Sequence, residues 1–151
     1  MKKLVKIAMG LVLLMAPMTM SAQTADEARE VLSNYCQAKN QNVPIKDGDS
    51  DAYYVFYGFE DNQMNIVYGV SEELFDSMNN NREFALKALV DEIVSNEELL
   101  GIVAYLTMCD GTMAFIACDY NKDATDSANQ LIFAFEQDDI KALIAKASEE
   151  K

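Results

Sequence analysis

Residues 95–120, SNEELLGIVAYLTMCDGTMAFIACDY, decide the fold. From Leu99 to Cys109 there is no charged side chain, in a chain that carries 25 Asp and Glu. So much contiguous apolar surface is unfavourable in water, and other elements must cover it. Ser95-Asn-Glu-Glu98 reads as a capping box, with Val94 and Leu99 at the hydrophobic-staple positions. Leu99, Ile102, Val103, Leu106 and Cys109 then share one helical face, and Gly111 stands as a C-terminal cap. The competing reading is a β-hairpin turning at Asp110-Gly111, a strong hairpin dipeptide. Start and stop signals agree on the helix. Either way, Thr112 to Tyr120 alternates as a strand, with Met113, Phe115 and Ala117 on one face. As a helix the segment is apolar nearly all round, because Leu100, Ala104, Tyr105 and Met108 lie off the main stripe. It therefore needs cover on more than one side.

Working outward, Thr24-Ala-Asp-Glu27 is a capping-box pattern that opens a helix to about Lys39, with Ala28, Val31, Leu32 and Tyr35 at helical spacing. A polar loop with Pro44 and Gly48 follows. Ala52 to Val70 reads as a hairpin turning at Asp61-Asn62. Strict alternation puts Tyr53, Val55, Tyr57 and Phe59 on a core face opposite Val70, Tyr68, Ile66 and Met64. The wetter face then holds Tyr54, Phe56, Gly58 and Glu60 against Gly69, Val67, Asn65 and Gln63. Ser71 caps the next helix, with Val70 and Phe75 as its staple. Asn79-Asn80-Asn81 interrupts it, and a second helix from Arg82 to Val94 is expected to bury Leu86, Leu89, Val90 and Ile93. After the central stretch come a polar loop, a strand from Asn129 to Phe135, and a helix with Ile140, Leu143, Ile144 and Ala147 on one stripe. The sum is an α+β fold: two β-hairpins forming a four-stranded antiparallel sheet, with helices packed on one face.

Residues 1–22 read as a secretory signal peptide and residues 23–151 as a single α+β domain. Lys2, Lys3 and Lys6 precede an apolar run from Ile7 to Met20, and Ser21-Ala22 offers a cleavage junction before Gln23. Pro17 breaks the run, which is shorter than the ~20 apolar residues of a membrane span. The expected location is periplasmic or secreted, after cleavage near Ala22. The leader holds three of the 12 Lys and Arg and none of the acids, so its loss takes the net charge from −13 to −16. Such a chain repels nucleic acid and anionic membrane surfaces, and tolerates cationic partners and divalent cations.

Several motifs place the chain in familiar company. These are the leader ending Ser21-Ala22-Gln23, the Asn42-Val-Pro44 turn before a hairpin, the strand-to-helix junction Val67-Tyr-Gly-Val-Ser-Glu-Glu73 and the closing Phe135-Glu-Gln-Asp-Asp-Ile140. On them the chain resembles a group of small exported bacterial proteins of unassigned activity. The resemblance implies the α+β fold with a helix before Gly111, and it carries over no catalytic residue.

The chain contains no histidine, which removes Ser-His and Cys-His catalysis and most zinc designs. Phosphate-loop and dinucleotide fingerprints are also missing, and no cofactor is expected. Cys36, Cys109 and Cys118 are disulfide candidates in an exported protein, weighed against three buried thiols. Asp119, Asn121 and Asp123, continued by Thr125 and Ser127, alternate like the oxygen ligands of a calcium loop. However, Ala124 and Gln130 stand where such a loop needs glycine and glutamate, so a hydrated acidic loop is the reading preferred. Asp47, Asp49 and Asp51 repeat the pattern on a shorter scale. For ligand binding, the candidate surface is the second hairpin face, Tyr54, Phe56 and Val67, with Asn65 and Gln63 to orient a hydroxylated ligand.

These observations point to an exported, non-catalytic binding or protein-interaction module. Its partner would be a protein or a small molecule, and a homodimer is compatible with the surplus apolar surface. The rival is a carboxylate-dependent hydrolase acting on envelope material, which requires two convergent carboxylates in a cleft, one with a raised pKa.

Overall fold

The computed structural model describes residues 24–150; the leader and its cleavage junction lie outside the described residues. The element order is α1 (Ala25–Asn40), β1 (Ile45–Lys46), β2 (Ala52–Glu60), β3 (Gln63–Val70), α2 (Glu72–Asn80), α3 (Arg82–Ser95), α4 (Glu97–Met108), β4 (Thr112–Asp119), β5 (Gln130–Phe135) and α5 (Gln137–Glu149). A short 3-10 turn, Ser127–Asn129, leads into β5.

The central stretch is a helix followed by a strand. Its cap is Asn96 rather than Ser95: the Asn96 Oδ1 accepts from the backbone N–H groups of Glu98 and Leu99 at 3.0 and 3.1 Å. Ser95 instead ends α3, its hydroxyl donating to the Asp91 carbonyl oxygen. At the other end Asp110 takes the left-handed conformation, with φ of 53°. Gly111 is needed for space, because a Cβ there would lie 2.7 Å from Leu106 Cδ2 and 3.0 Å from the Asn62 carbonyl oxygen. That oxygen accepts from the Thr112 N–H at 3.0 Å. The Asn62 amide donates to the Cys109 oxygen at 2.8 Å, so the β2–β3 turn is tied to the C-terminus of α4.

The sheet has five strands in the order β1-β2-β3-β4-β5, and it is mixed rather than four-stranded and antiparallel. β2–β3 and β4–β5 are antiparallel hairpin pairs as read from the sequence, but β3 and β4 run parallel, from Gln63↔Thr112 to Val70↔Asp119. The reason is the connection: α2, α3 and α4 return the chain to the end at which β3 began. The fifth strand, β1, is two residues long and follows a cis Val43–Pro44 bond. Beyond its reach, Asn40 satisfies the edge of β2, accepting from the Tyr57 N–H at 2.8 Å and donating to the Tyr57 oxygen at 2.7 Å.

α4 finds its cover among helices. α1 flanks it, and α3 and α5 also pack against it. Ile102, Val103 and Leu106 are fully buried in one core with Leu32, Met64, Ile66, Met113, Phe115 and Ile140. Among the described residues no helix covers the opposite face of the sheet. There Phe56, Val67, Ile116 and Ile132 form a row across β2, β3, β4 and β5, with Phe56 and Ile132 about half exposed.

The helix predicted from Arg82 to Val94 buries less than its pattern suggests. Only Ile93 and Val94 are buried in α3, Leu89 and Val90 are half-buried, and Leu86 is exposed. The C-terminal half of α3 is held by α4 and α5, while its N-terminal half stands off the sheet beside α2.

Candidate functional site

The stand-off of α3 leaves a cleft of about 470 Å³ between the helix-facing side of the sheet and the α2–α3 hairpin. Its floor is Tyr54 of β2, Tyr68 of β3 and Phe115 of β4, and Leu99 of α4 closes one side. The roof is Leu74, Ser77 and Met78 of α2 with Phe84, Ala85, Ala88 and Leu89 of α3, joined by Asn81. Two carboxylates line it, Asp47 from the turn after β1 and Glu92 from α3; lysine, arginine and cysteine are absent from the lining. The cleft is concave and mainly apolar, with few polar groups, features that small-molecule sites share.

Each wall follows from local sequence. Asn81 separates α2 from α3 and caps the latter, its Oδ1 accepting from the Phe84 N–H at 3.4 Å. Positions 81, 85, 88, 89 and 92 recur at helical spacing, which turns Ala85, Ala88, Leu89 and Glu92 to the same side. Asp47 is positioned by its backbone: its N–H donates to the Ala52 oxygen at 2.9 Å, and its carbonyl accepts from Ser50 N–H and Oγ. Among the described residues no hydrogen bond or ion pair reaches its carboxylate. Partial burial pushes the Asp47 pKa up, and the neighbouring negative charge of Glu92 adds to the rise. Burial likewise pushes the phenols of Tyr54 and Tyr68 above their ordinary value, with Asp47 adding to both.

Tyr54 reaches this floor through a β-bulge. The register of β2 on β3 shifts between Tyr54 and Phe56, so that Tyr54 pairs with Tyr68 while Phe56 pairs with Val67. Beyond the bulge the expected faces hold, with Tyr57 opposite Ile66 and Phe59 opposite Met64. Before it every side chain changes sides. Tyr53 accordingly moves to the open face, where its ring meets that of Tyr120 at 6.5 Å. Tyr54 enters the helix-facing side, stacked on Tyr57 at 5.8 Å and tilted against Tyr68 at 6.5 Å. Of the predicted ligand surface, then, Phe56, Val67, Asn65 and Gln63 stay together on the open face, and Tyr54 is separated from them. Gln63 and Asn65 are engaged with each other, Nε2 donating to Oδ1 at 2.8 Å.

Next to the floor lies a buried ion pair that sequence patterns did not signal. Lys39 Nζ sits 2.6 Å from Glu98 Oε1, and both side chains are nearly solvent-free. The Tyr35 hydroxyl donates to the same carboxylate, and the Lys39 ammonium lies 5.6 and 5.7 Å from the ring centroids of Tyr35 and Tyr57. The pair is closed on itself, with its charges matched.

The other sequence candidates fall elsewhere. The three cysteines are free, buried thiols, the alternative weighed against a disulfide. They sit on different elements with different neighbours: Cys36 Sγ near Met64 Sδ, Cys109 Sγ near the Leu106 oxygen, and Cys118 Sγ near the Tyr68 oxygen. Burial pushes the Cys36 thiol up to about 12. The acidic loop after β4 uses its carboxylates to hold its own turns. Asp119 Oδ1 accepts from the Asn121 N–H, Asp123 Oδ1 from the Thr125 N–H and hydroxyl, and Lys122 lies 3.3 Å from Asp119 Oδ2. Asp119 is fully buried and Asp123 is exposed. Among the described residues no three metal-ligating side chains converge.

Comparison with known proteins addresses the fold alone. No family model matches the chain, and no curated protein matches it. Among solved structures it is similar to a protein of Pseudomonas aeruginosa named as a candidate secreted protein, at 18% identity and a TM-score of 0.57. The match covers 80% of this chain and 99% of the other. No helix among the described residues is long and apolar enough to cross a membrane.

Proposed function

We propose that this protein is an exported, non-catalytic binding protein that takes a largely apolar small molecule into the cleft beneath α2 and α3. One observation carries the reading: a cleft of about 470 Å³, lined mainly by aromatic and aliphatic side chains, is left on the core side of the sheet beneath α3. Export rests on the leader and is supported by the name of the structural neighbour. Isothermal titration with decanol, an uncharged apolar probe, tests the cleft. The folded protein is expected to bind about one equivalent saturably. Ala85→Trp, which fills the cleft, should abolish binding while the circular dichroism spectrum is retained. If that variant unfolds, Ala88→Trp at the more exposed lining position serves in its place. Absence of saturable binding, or binding indifferent to a folded filling variant, overturns the reading.

The carboxylate-dependent hydrolase keeps one supporting observation: Asp47 and Glu92 line the same cleft, and Asp47 has a raised pKa. Two carboxyl groups in one cleft, one with a raised pKa, are the groups that glycoside hydrolysis requires. Release of reducing ends from purified peptidoglycan, lost in Asp47→Asn and in Glu92→Gln, would favour it. No release from the unaltered protein would remove it.

A further inference from the structure

We infer that the ligand of this cleft is a cationic amphiphile, its apolar body against Phe115 and Leu89 and its ammonium head between Asp47 and Glu92. The inference rests on the binding-protein reading above and adds the ligand's charge.

Charge complementarity is the main support. The cleft contributes two carboxylates and no cationic side chain. The nearest buried ammonium, Lys39, is already neutralised by Glu98 at 2.6 Å. Among the described residues the Asp47 carboxylate has no hydrogen-bonding or ionic partner, and the Glu92 carboxylate accepts only a long hydrogen bond, 3.4 Å, from the Asn96 amide. Asp47, half-buried and with its charged form disfavoured by burial and by the Glu92 carboxylate, is relieved by a cation seated beside it. Aromatic faces supply the second support. Tyr54 and Tyr68 line the cleft with the carboxylates, and an ammonium there gains from ring quadrupoles as well as from charge. The same chain already holds an ammonium in this way, where Lys39 lies over Tyr35 and Tyr57. An anionic amphiphile would meet repulsion from both acids, and a neutral one would leave them uncompensated.

Three probes of one chain length separate the possibilities: decyltrimethylammonium, decanol and decanoate, each titrated calorimetrically below its aggregation threshold. The ammonium should bind about tenfold or more tightly than decanol, with decanoate weakest. The double variant D47N/E92Q should bring the affinity for the ammonium down to that of decanol for the same variant. If decanol binds and the ammonium gains nothing, the charge assignment fails and the cleft survives. If neither binds, the underlying binding-protein reading fails. Decanoate binding as well as the ammonium, or a preference for the ammonium that persists in the folded double variant, also overturns the assignment.

Discussion

The helix-facing side of one sheet is treated in two ways along its width. Under α4, flanked by α1 and α5, it is sealed: Met64, Ile66, Met113, Ile102 and Leu106 are each 0–1% exposed. Under α2 and α3 the same face is roofed but not filled, and Phe84 on the roof is 68% exposed. Charge is handled differently too. The sealed side pairs its buried carboxylate, Glu98, with Lys39 and Tyr35, whereas the cleft is lined by two carboxylates, Asp47 and Glu92, and no cationic side chain. Burial is concentrated where charges and volumes are matched, and open space is left where they are not.

Substitutions sharpen that contrast in decreasing order of effect. Lys39→Met strands Glu98 as a buried, uncompensated carboxylate and should cost about 3–5 kcal/mol in urea denaturation. Adding Glu98→Gln should return most of the loss; a double variant as unstable as the single one would show that the pair acts through packing alone. Ile102→Ala, in the fully buried centre of α4, should cost about 2–5 kcal/mol. A loss below 1 kcal/mol would mean that the sealed side is looser than its burial implies.

Asp47→Asn should act in the opposite direction. The folded state raises the pKa of Asp47, so it holds the proton more tightly than the unfolded chain does. The stabilisation from protonated Asp47 is fully present below the unfolded value, near 3.8. It is lost as pH rises through the folded value, so at neutral pH the ionised group works against folding. The variant should therefore melt above the unaltered protein at pH 7, with the difference vanishing near pH 3. A variant less stable at pH 7 would give Asp47 a structural role. The smallest effect is expected from Phe84→Ser, within about 0.5 kcal/mol because the ring is mostly in solvent.

How far the sequence could be read depended on local contrast. Caps at Thr24 and Ser71 and the turn at Asp61-Asn62 were legible, because each is a short-range hydrogen-bonding pattern. The bulge at Val55 was not: Tyr53, Tyr54, Val55 and Phe56 are all large and apolar, so nothing polar marks which face each takes. The parallel pairing of β3 with β4 depends on where three helices return the chain, which no single segment encodes. Lys39 and Glu98 meet from two helices far apart in sequence. Half of the cleft did carry a usable signal, since Glu92 continues the Ala85-Ala88-Leu89 stripe as a carboxylate on an otherwise apolar helical face. Asp47, in a turn with Asp49 and Asp51, looked like one more hydrated acid.

The bulge that turns Tyr54 inward also completes a ladder of rings, Tyr35, Tyr57, Tyr54, Tyr68, Phe115 and Phe135, with successive centroids 5.8–6.5 Å apart. The chain has no tryptophan and seven tyrosines, and four of them stand in this ladder. Its near-ultraviolet emission is therefore tyrosine emission alone, and rings this close exchange excitation among themselves. Light absorbed beside the Lys39–Glu98 pair can leave from Tyr54 or Tyr68, at the floor of the cleft. Two of these emitters line the cleft, so a quencher placed there would be read in the protein's own emission, without any label.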